Sequence, residues 1–389
     1  MTEVAIASTD LRDSEAGEAL AAKIRSELHG AAPDAMIVFA SPQNDYAELL
    51  RALHSKCPGR AMVGCSSAGE FTSETSGTGL TTVIALRAAD MRFSASRTLG
   101  LSANRDSTAR QLVQGFQGMG TSEYRYRTAL ILVDALAGHA EDFVDRLTIA
   151  TGGIYQFVGG GAGDDGRFKE THVFFGTEAH TDAAVALEIL SNKPIGIGAR
   201  HGWAPAGDPL RVTQANNSCV LSLNVAPAVE AFEEHAAQSN QRFDRADPLP
   251  FFLHNVMGVK SDEGYKLRVP LGIDAEGGII CAAEVPTGVL ANIMSTQAVD
   301  AADAAASATR DAMQQVQREG HTPKAALFFD CVATRLRLGQ EFNNELAAVA
   351  RELEDVPFAG FNSYGQIVRA EGQFSGFHNC TAVVCVFPE

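Results

Sequence analysis

The sequence has no long apolar run, no closely spaced pair of cysteines and no recognisable secretion signal. No stretch of the 389 residues approaches the length of apolar chain that spans a bilayer, so a transmembrane helix is not expected. The seven cysteines include no C-x-x-C pair, which disfavours both a structural zinc site and a disulfide framework. The N-terminus has neither a basic start nor an apolar core with a cleavage site. We therefore expect a cytoplasmic protein in a reducing compartment.

Basic residues are also scarce. The chain has 31 Lys and Arg against 47 Asp and Glu, and the resulting formal charge of −16 is spread along the sequence. A surface of that sign repels phosphate backbones and anionic lipids, which argues against nucleic-acid binding and membrane-surface binding. Hydrophobic residues make up 46% of the chain, so a length of 389 residues predicts two or three domains, each with its own core.

Motifs of several common enzyme classes are missing as well. Residues 159–165 are rich in glycine, but they lack the Gly-Lys-Ser/Thr of a P-loop and the spacing of a dinucleotide-binding loop. Residues 64–68 come near the G-x-S-x-G of a serine hydrolase without matching it. Neither Cys65 nor Cys331 has a histidine that the sequence places beside it as a base. We therefore expect a binding protein rather than an enzyme.

One arrangement of features occurs three times along the chain. Each copy consists of a predicted strand, a helix, a second strand, a turn of small residues and a closing strand. The predicted first strands are 35–40, 129–134 and 325–330, the helices are 46–55, 141–150 and 341–353, and the closing strands are 81–86, 172–175 and 381–387. Further helices are predicted over 227–235 and 300–316. The predicted fold class is α/β with mixed sheets.

A domain boundary is expected between about residues 210 and 230. Two copies of the repeated unit lie before it, and one copy with an added region lies after it. A stretch rich in Pro and Asp at 244–250 is predicted to be a loop near the start of the second domain. We therefore predict two domains, 1–215 and 225–389, with a substantial interface, because pockets often form where domains meet.

The turn after the second strand is small and polar in all three copies, at residues 63–70, 158–165 and 359–366. A tight turn without a ligand is one interpretation of any single copy, since glycine permits positive φ and close backbone approach. Three such turns favour a shared polar crevice, because ligands collect at the strand ends of open α/β sheets. The candidate ligand-binding residues in the turns are Cys65, Ser66, Ser67, Glu70, Gly160, Asp164, Asp165, Asn362, Tyr364 and Gln366.

Two histidines lie next to aromatic residues at predicted strand ends. His201 precedes Trp203, and His378 lies between Phe377 and Asn379. Each is either a structural histidine with satisfied hydrogen bonds or the axial ligand of a haem. Arg335 and Arg337 follow the first strand of the third copy, where they are placed to bind a carboxylate or a haem propionate.

The turn segments together resemble the FIST family of bacterial sensory domains. Residues 63–70, 158–165 and 201–205 resemble motifs of its N-terminal module. In the second half, the segments similar to the C-terminal module are 267–274, 360–366 and 377–381. The resemblance implies a domain that senses small ligands, for which amino acids have been suggested, in bacterial signal transduction.

One branch of that family consists of haem-binding nitric-oxide sensors of the NosP type, which regulate histidine kinases or cyclic-di-GMP enzymes. Residues 329–339 and 377–379 are similar to this branch. The similarity implies a haem cofactor, with His378 preferred over His201 as the metal ligand and Asn379 beside it. Gln366 stands where the family has a glutamate in its Tyr-Gly-Glu turn, so a role that requires a charge there is in doubt.

Three functions therefore remain open for this sequence. The first is a stand-alone sensor that binds haem, detects nitric oxide and acts through a separate histidine kinase or cyclic-di-GMP enzyme. The second is a sensor of an amino-acid-like metabolite that binds without haem. The third is an enzyme that uses the crevice carboxylates Glu70, Asp164 and Asp165. A sensor of either kind should retain its ligand unchanged, whereas the enzyme should convert it into a product.

Overall fold

The computed structural model describes residues 2–373 and 375–389, which form an α/β fold with three mixed sheets and one antiparallel sheet. Three copies of one αβ unit and an inserted β-rich region make up the chain. Each unit runs strand, helix, strand, helix, strand, hairpin, strand. The predicted α/β class with repeated units and mixed sheets is therefore confirmed.

The first two units follow each other directly. The elements of the first unit are β1 (Thr2–Thr9), α1 (Asp13–Glu27), β2 (Ala35–Ala40), α2 (Tyr46–Lys56), β3 (Ala61–Ser66), β4 (Glu70–Thr72), β5 (Ser76–Gly77) and β6 (Thr81–Ala88). Those of the second unit are β7 (Met91–Leu99), α3 (Arg105–Gln114), β8 (Tyr126–Val133), α4 (Ala140–Ala150), β9 (Gln156–Gly161), β10 (Val173–Phe175), β11 (Glu178–His180) and β12 (Ala183–Ser191). Short 3-10 turns at Gly118–Gly120 and Ala135–Ala137 flank β8.

The third unit is interrupted after its first strand, β13 (Gly196–Arg200), by the insertion. The insertion contains β14 (Ala204–Pro205), β15 (Leu210–Asn216), β16 (Cys219–Leu223), β17 (Ala226–Pro227), α5 (Ala228–Gln238), α6 (Leu249–Phe252), β18 (Val256–Ser261), β19 (Gly264–Arg268), β20 (Pro270–Ile273), β21 (Ile279–Cys281) and β22 (Leu290–Ser295). The third unit then continues with α7 (Ala298–Arg318), β23 (Pro323–Cys331), α8 (Val332–Leu338), a 3-10 turn (Gly339–Glu341), α9 (Phe342–Leu353), β24 (Phe358–Ser363), β25 (Gln366–Arg369), β26 (Gly376–His378) and β27 (Ala382–Pro388).

Each unit begins one strand and one helix earlier than the sequence predicted. These first strands pair antiparallel with the last strand of their own unit, as β1 does with β6 and β13 with β27. The predicted closing strand of the second unit, 172–175, is wrong because that segment is β10, a short strand of the hairpin. The closing strand is β12, which is buried throughout and pairs with both β7 and β8.

The hairpin of each unit is added to the sheet of another unit. β4 pairs with β24 of the third unit, β10 pairs with β3 of the first, and β25 pairs with β9 of the second. The exchange is cyclic, so every unit both gives and receives a hairpin. Strand pairs thus cross the region 210–230, as β13 with β27 also does. These pairs join the two predicted domains to each other. The division into 1–215 and 225–389 stays a prediction.

Local sequence explains the main elements. β2 is apolar at every position and is buried on both faces, which suits the middle of a sheet covered by helices. In α7, alanines line the buried face, and they allow the helix to approach the sheet closely. Gly198 in β13 is required by this approach, because a Cβ there would lie 1.9 Å from the carbonyl oxygen of Ala308.

One apolar cluster contains residues of all three units. Phe39 of β2 stacks on Phe361 of β24 at 4.5 Å and meets Phe329 of β23 edge-on at 6.2 Å. Leu130 of β8 belongs to the same cluster. Burial of these side chains holds the units together, since each large apolar side chain contributes about 1.5–3 kcal/mol when it leaves water. Within the described ranges, every helix is too short or too polar to cross a membrane.

Candidate ligand-binding site

Three loops, one from each unit, meet in the interior. Loop 1 (66–70) follows β3, loop 2 (161–166) follows β9 and loop 3 (362–366) follows β24. Each loop donates a backbone N–H to a carbonyl of the next, so the three form a closed ring. The three hydrogen bonds are Ala68 N to Asn362 O at 3.0 Å, Gly163 N to Ser66 O at 2.9 Å and Tyr364 N to Gly161 O at 3.0 Å. The three predicted turns are thus in direct contact.

Glycine is necessary at two points of this ring. A Cβ at Gly163 would lie 2.8 Å from the backbone nitrogen of Ala68. Gly69 has a φ of +133°, and a Cβ there would lie 2.4 Å from Nη1 of Arg335. The backbones of loops 1 and 2 and the Arg335 side chain can approach each other because these two residues have no side chain.

Glu70 is a buried carboxyl group in loop 1. One of its oxygens accepts a hydrogen bond from the Ser67 hydroxyl, and the other accepts from the backbone N–H of Leu80 at 2.9 Å. Burial raises the pKa of Glu70 to about 8, although both hydrogen bonds and the charge of Arg335 act against the shift. The group therefore carries a proton in most molecules at neutral pH.

Asp165 of loop 2 has a left-handed backbone with a φ of 57°. Its Oδ2 lies 3.5 Å from the Ser41 hydroxyl and 3.9 Å from Nη2 of Arg167. Its Oδ1 is buried and has no hydrogen-bond partner among the residues that the structure describes. Burial raises the pKa of Asp165, and the charges of Arg167 and Arg335 partly oppose that shift. An acceptor atom here is thus left for a ligand or a water molecule.

Arg335 of α8 is a cationic group whose charge acts on both of these carboxyl groups. Its Nη1 donates to the carbonyl oxygen of Ala68 in loop 1. The positive charge of Arg335 partly opposes the effect of burial, which raises the pKa of both Glu70 and Asp165. The Arg335 residue is partly exposed. The site therefore combines two acidic groups with a partly exposed cation.

Asp164 stabilises the conformation of loop 2 through hydrogen bonds. Its carboxylate accepts from the backbone N–H groups of Phe168 at 2.8 Å and Lys169 at 2.7 Å, and from the Tyr364 hydroxyl. Burial alone would raise the pKa of Asp164, but these hydrogen bonds outweigh burial and the pKa is lowered. The Tyr364 ring stacks on Phe168 at 4.4 Å, which closes one side of the ring of loops. Loop 3 thereby holds loop 2 in place.

Four other candidate residues at the ring have contacts with neighbouring strands and loops. They are Cys65, Ser66, Gly160 and Gln366. The Cys65 thiol is buried in β3, and burial raises its pKa. Ser66 Oγ accepts from the backbone of His172 at 2.9 Å. Gly160 is paired with Gln366, whose side chain donates to Ser363 Oγ at 2.8 Å. These contacts hold strands and loops, and a ligand role for the four residues stays a prediction.

Two further carboxyl groups lie under loop 3 and were not predicted from the sequence. Asp330 is the residue before the last in β23 and accepts from the Asn362 side chain at 3.4 Å, and Glu345 lies on the buried face of α9. Asp330 Oδ1 and Glu345 Oε2 are buried without a hydrogen-bond partner in the described part of the chain. Burial raises the pKa of both groups, that of Glu345 to about 8. A carboxylate on the apolar face of a predicted helix was the signal that could have found Glu345.

Comparison with known families identifies both parts of the chain that contribute loops. The FIST N domain matches residues 34–226, and the FIST C domain matches residues 228–369. The chain belongs to the FIST family. FIST domains are small-ligand sensory domains of signalling proteins. Loops 1 and 2 lie in the FIST N match, whereas loop 3 and Arg335 lie in the FIST C match, so both parts of the family fold form the ring.

Other comparisons add no functional information about this FIST protein. No curated protein matches the chain. Among solved structures, Thermotoga maritima PurL complexed with FGAR is 11% identical with a TM-score of 0.24, and T. maritima PurLQS is 12% identical with the same TM-score. Both alignments cover 100% of this chain and 72% of the other. TM-scores of this size establish neither a shared fold nor a shared activity.

The two candidate haem ligands of the FIST protein differ in their position: His378 pairs with Gln366 at the end of loop 3, whereas His201 lies just after β13. His201 Nδ1 accepts from the backbone of Trp203 at 3.3 Å, and its Nε2 faces the Tyr265 carbonyl at 3.1 Å. His378 is 1% exposed in β26, and burial followed by the charges of Arg268 and Lys266 holds its pKa well below the usual range. Because His378 is enclosed as placed, haem ligation by this residue would require β26 to move.

The remaining predicted residues lie near His378. Asn379 is buried, and its Oδ1 accepts from the backbone N–H of Val269 at 3.4 Å. The Arg337 guanidinium lies over the Trp203 ring at 5.3 Å, so it packs on an aromatic face. Within the described ranges, no three His, Cys, Asp or Glu side chains are arranged to hold a metal ion. Haem ligation by His378 or His201 stays a prediction.

Proposed function

We propose that this FIST protein senses a small zwitterionic ligand, of the amino-acid type, at the ring formed by the three loops. The observation that carries the proposal is the position of Arg335 beside Asp165 and Glu70. An amino acid carries a carboxylate and an ammonium group a few ångströms apart. A site with one partly exposed cation and a carboxylate with an unpartnered oxygen complements both charges.

The two charged ends of the ligand would have different partners. The ligand carboxylate would accept from the Arg335 guanidinium, whose fork geometry suits carboxylates. The ligand ammonium would donate to Oδ1 of Asp165, which is buried and has no partner among the described residues. Glu70 would stay protonated, because a second negative charge beside Asp165 in a buried site is unfavourable.

Signalling would follow from the way in which the ring is built. Every loop of the ring belongs to a different unit, and each unit also contributes a hairpin to a neighbouring sheet. A ligand that changes one loop would therefore act on all three units. We propose that a separate cytoplasmic signalling protein, a histidine kinase or a cyclic-di-GMP enzyme, reads that change. Recognition of the ligand without turnover is what a sensor requires, so bound ligand is expected to be recovered unchanged.

Calorimetric titration of the purified protein with a panel of free amino acids tests the proposal. Arg335→Gln and Asp165→Asn should each weaken binding about 10- to 100-fold, because each removes a charge-assisted hydrogen bond. Arg110→Gln, which changes an exposed residue of α3, is the matched control and should bind like the unaltered protein. Binding of no amino acid, or equal binding by all three variants, would refute the proposed ligand class.

Haem-dependent sensing of nitric oxide is a second proposal for the same protein. What supports it is the similarity of residues 329–339 and 377–379 to the haem-binding branch of the family. Bound haem would require the β26 region to open. An absorption spectrum recorded with and without added haem tests this idea, because a Soret band that weakens in His378→Ala but not in His201→Ala supports it. Absence of a Soret band after haem addition contradicts it.

A further inference from the structure

Two cysteine side chains meet where β23 passes into α8. Cys331 is the last residue of β23 and the N-cap of α8. Cys380 lies in the turn between β26 and β27 and has a left-handed φ of 49°. The two thiols lie close enough for each to act on the pKa of the other, and both side chains belong to one buried apolar cluster with Trp203. Neither residue is in a disulfide, and the pair is 49 positions apart in sequence.

The surroundings of Cys331 favour its thiolate form. The hydrogen bond from the Cys380 thiol and backbone N–H groups of Cys380 and Ala333 lower the pKa of Cys331 to about 7, although burial acts in the opposite direction. The Gln366 side chain adds a further hydrogen bond. By contrast, burial raises the pKa of Cys65 and Cys385. Nucleophilic attack by a thiol requires the thiolate, so Cys331 is the cysteine best prepared for it.

We propose that Cys331 and Cys380 are a thiol oxidation site, at which hydrogen peroxide converts the two thiols into a reversible disulfide. The Cys331 thiolate attacks one oxygen of hydrogen peroxide and the O–O bond breaks. The departing hydroxide takes up the proton that the Cys331 thiol had released, so that Cys331 sulfenic acid and water are formed. The Cys380 sulfur then attacks the Cys331 sulfur, its proton leaves with the hydroxyl group as water, and the S–S bond forms. Two thiols are oxidised and one peroxide is reduced to two water molecules.

The position of this pair connects it to the ring of loops. Cys331 directly follows Asp330, which contacts Asn362 of loop 3. It also begins the helix that carries Arg335, the cation of the ring. A disulfide would tie the start of α8 to the β26–β27 turn, and thereby restrict the movement of Arg335. This inference is independent of which ligand the ring binds. Both sulfurs are buried, so reaction requires a local opening that admits a molecule little larger than water.

Thiol counting after peroxide treatment tests the proposal. The full-length protein is treated with hydrogen peroxide, quenched, unfolded, alkylated and weighed by mass spectrometry. The unaltered chain should keep five alkylatable thiols of its seven cysteines, lose the mass of two hydrogen atoms before alkylation, and regain seven thiols after reduction. A peptide that links residues 331 and 380 should appear. Seven alkylatable thiols after treatment, or a disulfide at another pair, would overturn the proposal.

Variants distinguish the role of Cys331, which attacks the peroxide, from that of Cys380, which attacks the resulting sulfenic acid. Cys385→Ser, a buried cysteine of the same sheet, is the control and should still form the disulfide. Cys380→Ser should form none, but Cys331 should then be trapped as its sulfenic acid by dimedone, which labels that group. Circular dichroism establishes whether this variant folds. A dimedone adduct on Cys331 supports the proposal even if Cys331→Ser itself fails to fold, whereas an unlabelled Cys331 in a folded Cys380→Ser protein contradicts it.

Discussion

The backbone N–H of Gly163 donates to the carbonyl oxygen of Ser66 at 2.9 Å, and this bond joins the loop of the second unit to the loop of the first. Equivalent bonds connect the first loop to the third and the third to the second. The ring is therefore a structural junction as well as a candidate binding site. A change at one of its members is therefore expected to alter stability, and binding experiments must measure stability separately.

Gly163→Ala should destabilise the protein by about 1–3 kcal/mol, because overpacked sites force the backbone to move. The added Cβ would lie 2.8 Å from Ala68 N, a backbone atom with no freedom to rotate away. Urea unfolding followed by circular dichroism measures the loss. Gly207→Ala is the control, since nothing lies within 4 Å of its Cβ position, and it should be neutral. Equal stability of the two variants would show that loops 1 and 2 are not packed as described.

Asp164→Asn should cost about 1–3 kcal/mol, because the amide nitrogen cannot accept the hydrogen bonds that the carboxylate now receives from loop 2. Tyr364→Phe removes only one of the donors and should cost about 0.5–1.5 kcal/mol. Asp106→Asn, at an exposed position of α3, provides the control. Unfolding free energies should show the largest loss of stability in Asp164→Asn, a smaller loss in Tyr364→Phe and the smallest in the control. If Asp164→Asn were as stable as the control, its contacts with Phe168 and Lys169 would have no role in holding the loop.

The stability of the protein should fall as the pH rises from about 5 to about 8. Burial raises the pKa of Glu70 from 4.5 to about 8 in the folded state, so the folded protein binds a proton that the unfolded chain has lost in this interval. The contribution is fully present below the unfolded value and is lost as the pH passes the folded value. One such group gives a slope of at most about 1.4 kcal/mol per pH unit.

Unfolding free energies measured across that interval test the expected pH dependence. Glu70→Gln should flatten the slope, because a neutral amide has no proton to lose. Glu345→Gln should do the same, since the pKa of Glu345 is also raised to about 8 by burial. Asp106→Asn should leave the slope unchanged. A slope that is undiminished in each of the two glutamine variants would assign the pH dependence to other groups.

Glu141→Ala should destabilise the protein by about 3 kcal/mol, because it leaves the buried Arg268 without its carboxylate. Glu141 of α4 accepts from Arg268 Nη2 at 3.1 Å, from Lys266 Nζ and from the backbone of Phe377 at 3.0 Å. It thus joins the second unit to the insertion and to β26. Arg110→Ala breaks an exposed pair within α3 and should cost less than about 1 kcal/mol. Thermal and urea unfolding of both variants check the difference.

The amino-acid sequence alone determined the local elements and the three turns. Helix α2 was predictable because Leu49, Leu50 and Leu53 form one apolar face, and β2 because six successive apolar residues suit a buried strand. The turn residues were predictable because glycine and small polar side chains follow the second strand of each unit. These signals depend on neighbours within a few positions, which is the range over which sequence patterns are informative.

Only the tertiary structure decided which segments of different units meet. The exchange of β4, β10 and β25 could not be predicted, because a strand of three or four residues carries little periodicity and its partner lies in another unit. For the same reason, the contact of Cys331 with Cys380 and the burial of Asp330 had no local signal, since both depend on how β23 packs against β27. The positions of loops and strand ends were thus determined by the sequence, whereas their assembly into one ring follows from non-local strand pairing.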